Sequence, residues 1–115
     1  MNRNEVIAKI KTALKERTGS AWSVTGGRGT AWGWITVSAP PARLVCSRAA
    51  DCGPACTHGR GYMATADMAL LALALGLDHV HNQGVSIAAS SAHYREYLDR
   101  AQGLKPEAIA TPYWD

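Results

Sequence analysis

Apolar and polar positions alternate with two different periods along this chain, and the periods divide it into elements. Val6, Ile7, Ile10 and Leu14 recur at helical spacing, which predicts a helix over residues 4–18. Asn2 or Asn4 caps its start, and Gly19 falls just past its end. Over residues 22–37 the pattern changes to alternation in runs rich in Trp, Val, Ile and Thr, interrupted by Gly26-Gly27-Arg28-Gly29. That is a β-hairpin signal, because glycine readily takes the positive φ that a tight reversal needs. Trp22 and Val24 share one face of the first strand. Trp32, Trp34 and Thr36 share a face of the second, with Ile35 and Val37 on the other. Both faces thus carry apolar groups.

Pro40-Pro41 stops the second strand. Residues 43–48 then read as a short third strand, with Leu44 and Cys46 on one side, followed by a loop over residues 49–61. A second helix is expected over residues 66–75, capped by Thr65 and stopped by Gly76. It is apolar nearly all round, so it belongs in the core or is shared with a second subunit as a homodimer. Residues 79–87 read as extended or irregular, broken at Asn82-Gln83-Gly84. A third helix follows over residues 91–102, with Ser90 as cap, an apolar face of Tyr94, Tyr97, Leu98 and Ala101, and exposed i,i+4 pairs Arg95–Asp99 and Glu96–Arg100. The order predicts an α+β fold: a small antiparallel sheet of three to four strands with about three helices packed on it, in a single domain spanning residues 1–115.

The composition fits a globular chain: 47% apolar, 18% charged and no Phe, so Trp and Tyr supply the large aromatic groups. The longest apolar run, residues 68–77, is about half the roughly 20 residues a membrane crossing needs, and no apolar signal-type run follows Met1. A cytoplasmic setting, reduced cysteines and no membrane partner are therefore expected.

Charge changes the functional picture. The net charge is +3, but residues 1–60 carry nine basic and three acidic side chains, whereas residues 61–115 carry three basic and six acidic. Such polarity steers an anionic partner toward one side if the halves stay apart in space. Lys11, Lys15, Arg28, Arg43 and Arg48 are the cations placed to form a partner-binding surface for nucleic acid or an acidic protein or nucleoprotein. The Gly26–Gly29 turn has neither a Walker sequence nor a following helix for a dinucleotide. It has the Gly-x-x-Gly spacing of KH modules, but there the loop joins helices. What remains is exposed amides and one Arg able to contact phosphate, or a plain hairpin turn. Trp32 and Trp34 either stack on bases or fill the core.

Two constellations concern metals. Cys46, Cys52, Cys56 and His58 form a Cys-x5-Cys-x3-Cys-x-His run that supplies a Cys3His donor set for structural zinc, although the spacing departs from the usual paired cysteines. Buried reduced thiols, or one disulfide with a thiol left over, account for the same residues. His79 and His81 fall on one side of an extended segment, and with His93 they would make a three-histidine site for a metal-dependent enzyme. No nucleophile, base and orienting group fall together, so a non-enzymatic binding module is the expected class.

The segment 22–34, the run Gly84-Val85-Ser86-Ile87-Ala88-Ala89-Ser90-Ser91 with Tyr94-Arg95-Glu96-Tyr97, and the ending Pro112-Tyr113-Trp114-Asp115 resemble small bacterial proteins, some carried by plasmids and phages. The likeness covers most of the chain outside the cysteine segment. It implies no particular activity and hands over no functional residue. A mobile-element setting implies an accessory, protein-interaction or inhibitory anti-defence factor rather than a metabolic enzyme.

Overall fold

The computed structural model describes residues 2–46, 61–87 and 90–106. Among the described residues, three α-helices, α1 (Arg3–Thr18), α2 (Thr65–Leu75) and α3 (Ser91–Ala101), pack with three strands, β1 (Ser23–Gly26), β2 (Ile35–Ser38) and β3 (Val85–Ile87). The fold is α+β, as the element pattern predicts.

The helices form where local chemistry supports them. Asn2 accepts the Glu5 backbone N–H at 2.9 Å and its amide reaches back to the Glu5 carboxylate, closing the first turn of α1. Gly19 ends the helix, its N–H donating to Lys15 O. Ser90 caps α3 by accepting the His93 N–H. Helix α2 differs from expectation. Thr65 is its first residue rather than its cap, Ala64 occupies the cap position without a side-chain bond, and Asp67 lies in the first turn.

The sheet is antiparallel in the order β1-β2-β3. Val24 pairs with Val37, Val37 with Val85, and Ile35 with Ile87. These five side chains are buried and join Val6, Ile10 and Leu14 of α1, Leu71 and Leu75 of α2 and Tyr97 and Ala101 of α3 in one core. The opposite face carries Ser23, Thr25, Thr36, Ser38 and Ser86, with Thr36 and Ser86 hydrogen-bonded across the ladder at 3.2 Å. The sheet therefore has one apolar and one hydroxyl face, not two apolar faces. Alternation places the hydroxyls outward once β2 starts at Ile35.

Of the expected third strand at residues 43–48, residues 43–46 are described and form no strand, while residues 47 and 48 lie outside the described residues. Pro41–Arg43 form a 3-10 turn, and Val45 makes an isolated bridge to Tyr62. The third strand is β3. Gly84 admits it: a Cβ there would lie 2.1 Å from Val37 O, and its φ is +118°. The pair Glu96–Arg100 also departs from expectation, because Glu96 is buried and not on the exposed side of α3. Among the described residues, no helix is long and apolar enough to cross a membrane.

Candidate functional site

The β1–β2 connection is longer than a two-residue turn. Gly29 takes φ +58°, and Gly29–Ala31 form a 3-10 turn that lifts Arg28 to Trp34 clear of the ladder. Gly27 closes the loop by donating to Trp34 O at 2.8 Å. A side chain at Gly27 would collide with the Ala31 carbonyl. Trp32 therefore lies in this loop rather than in the strand, 57% exposed; Trp34 is half-buried. Trp22, by contrast, is a core residue whose indole N–H donates to Thr18 Oγ1.

Two side chains from distant elements brace the loop. Arg3, in the first turn of α1, donates through Nη1 to Gly27 O and Trp32 O, both at 2.8 Å. Its Cζ lies 3.4 Å from the centroid of a Trp32 ring, a cation–π contact. Tyr94 of α3 donates from its hydroxyl to Gly33 O at 2.6 Å. Sequence reasoning counted Arg3 as a charge and missed this role. Its partners lie 24 and 29 residues away, beyond the reach of any local periodicity.

The expected cations separate into two groups. Lys11, Lys15 and Arg28 are exposed, and among the described residues none forms an ion pair. Helical geometry sets Lys11 and Lys15 about 40° apart, on one flank of α1. Lys9, Thr12 and Glu16 lie on the other flank and, with Leu98, line a cleft of about 450 Å³ between α1 and α3. Arg28 lies beyond the opposite end of the helix from Lys15, because Arg3 reaches the loop from the first turn. Arg43 is spent differently: it binds the buried Asp67 carboxylate of α2 through Nε and Nη2. Arg48 lies outside the described residues.

Of the proposed zinc ligands, Cys46 is buried, while Cys52, Cys56 and His58 lie outside the described residues. His79 and His81 are exposed, with ring centroids 5.8 Å apart and edge-on. They share a cleft of about 440 Å³ with Asp78 and Arg100. His93 is instead held by Ser90 at the start of α3, its Nδ1 2.7 Å from the hydroxyl. Among the described residues no three His, Cys, Asp or Glu side chains converge as a metal site. Comparison with known proteins finds no matching family model, no matching curated protein and no matching solved structure.

Proposed function

We propose that this chain is a binding module for nucleic acid, contacting phosphates through Arg28 on the hairpin loop and Lys11 and Lys15 on α1. One observation carries this reading. These three cations are exposed and unneutralised among the described residues, while Arg3 and Arg43, which the same basic half supplies, are committed to internal contacts. A chain that holds some arginines against carbonyls and carboxylates and leaves others in solvent retains positive potential at the loop and along the helix flank.

Each phosphate neutralised releases condensed counterions, so three contacts give log K a slope of about −2 to −3 against log salt. Fluorescence anisotropy of labelled oligonucleotides over a salt series measures it. Replacing Arg28, Lys11 or Lys15 by Ala reduces the slope by about one contact each. Affinity that ignores both salt and these substitutions overturns the proposal.

A second reading has its own observation. Leu73 is 78% exposed, and Ala66, Ala69 and Leu70 lie on the same uncharged side of α2. Such a stripe supports pairing of two copies. Light scattering tests it: Leu73→Lys converts a dimer into a monomer under this reading.

A further inference from the structure

We infer that Trp32 is a stacking platform for an unpaired base, so that the nucleic acid recognised at the hairpin loop is single-stranded. This rests on the nucleic-acid reading proposed above and narrows it. An indole offers two π-faces. The Arg3 guanidinium lies against one, 3.4 Å from the ring centroid. Trp32 nevertheless keeps 57% of its surface in solvent, and the side away from Arg3 is where a base would stack.

The loop that carries the ring is tied down by hydrogen bonds before any ligand arrives. Arg3 Nη1 ties Gly27 O and Trp32 O together, Gly27 donates to Trp34 O, and Tyr94 holds Gly33 O. Little conformational freedom remains to be lost on stacking, which favours affinity. Arg28 stands at the other end of the same 3-10 turn, where Trp32 N–H donates to Gly29 O and Ala31 N–H to Arg28 O. An exposed ring and an exposed guanidinium four residues apart match the two chemistries of a single strand, a free base face and a neighbouring phosphate. In a duplex the base faces are already stacked on one another, and only the phosphates are offered. A core role for Trp32 is inconsistent with its exposure, and an exposed Trp without partners would not be braced at four backbone atoms.

The test is anisotropy of the full chain at low salt with three fluorescein-labelled probes. These are an oligothymidylate of about ten nucleotides, a strand of the same length built of abasic sites, and a duplex. Trp32→Ala is expected to weaken oligothymidylate binding about tenfold and leave the abasic strand and the duplex unchanged. Trp32→Tyr recovers most of the loss, which separates stacking from misfolding. Arg3→Lys keeps the charge but removes the two-carbonyl brace, and weakens oligothymidylate more than the abasic strand. Equal losses on all three probes, or no loss on oligothymidylate, overturns the stacking inference while the phosphate-binding reading stands. Absence of binding to every probe overturns that reading and this inference with it.

Discussion

Arg43 and Asp67 join the turn after β2 to the first turn of α2 through two hydrogen bonds, Nε to Oδ2 at 3.1 Å and Nη2 to Oδ1 at 2.5 Å. The carboxylate is buried, whereas the arginine side chain is 51% exposed. This places the energetic weight on Asp67, which loses its water on folding and needs a donor. Arg43→Ala is therefore expected to cost about 1–3 kcal/mol of folding stability. Because the cation is already neutralised, the same substitution should change oligonucleotide affinity and its salt slope less than Arg28→Ala does. Urea unfolding and the anisotropy series measure the two effects separately. A larger binding loss from Arg43→Ala than from Arg28→Ala would place the phosphate contact at the wrong residue.

Arg17 performs a comparable task at the far end of α1. Its Nη1 donates to Arg100 O at 2.9 Å, to Ala101 O at 3.0 Å and to Ala74 O. Those carbonyls belong to the last turns of α2 and α3, which have no intrahelical donors left and carry the negative ends of two helix dipoles. One guanidinium thus fastens three helices. Arg17→Met should lower stability by about 1–3 kcal/mol, and Arg17→Lys should recover part of it by keeping the charge at the helix ends. Guanidinium midpoints of the three proteins test the ordering; equal midpoints for all three would show the contacts to be energetically idle.

Gly84 controls whether β3 can pair. It combines a φ of +118° with a Cβ position 2.1 Å from Val37 O, so alanine meets both strain and collision. Gly84→Ala should cost about 3 kcal/mol or more and loosen the β2–β3 ladder first. Amide hydrogen exchange should then quicken at Val37 and Val85 before it does at Val24. Uniform quickening across both ladders would mean that the sheet opens as one unit.

These contacts also mark where sequence reading succeeds and stops. Helices α1 and α3 were legible because a helix is specified by near neighbours: the stripe Val6, Ile10 and Leu14, the Asn2 and Ser90 caps, and Gly19 all act within one or two turns. The hairpin was legible as a pair of strands but not in its extent. Trp32 and Trp34 have strand-like chemistry, and what holds Trp32 out in a loop is Arg3, together with the Tyr94 brace on Gly33. The third strand is less legible for the same reason. Residues 43–46 and 85–87 both fall in segments that read as extended, and pairing with β2 selects 85–87. Within the site, Arg28 was legible as an exposed turn cation. The burial of Asp67 and its claim on Arg43 depend on residues 24 positions apart.

Tyr97 gives the fold a dependence on alkaline pH. The side chain is fully buried, and burial pushes its phenol well above the ordinary tyrosine value, since the phenolate would lose its hydration. In the unfolded chain the same phenol ionises near about pH 10. Below that, both states keep the proton and Tyr97 adds no pH dependence. Above it, the unfolded state loses the proton while the folded state retains it, so stability falls by up to about 1.4 kcal/mol per pH unit. The guanidinium midpoint should therefore drop between about pH 9 and about pH 11. Tyr97→Phe keeps the ring in the core and removes the ionisable oxygen, so its midpoint should fall less over the same range. Parallel declines in the two proteins would assign the alkaline sensitivity to other groups.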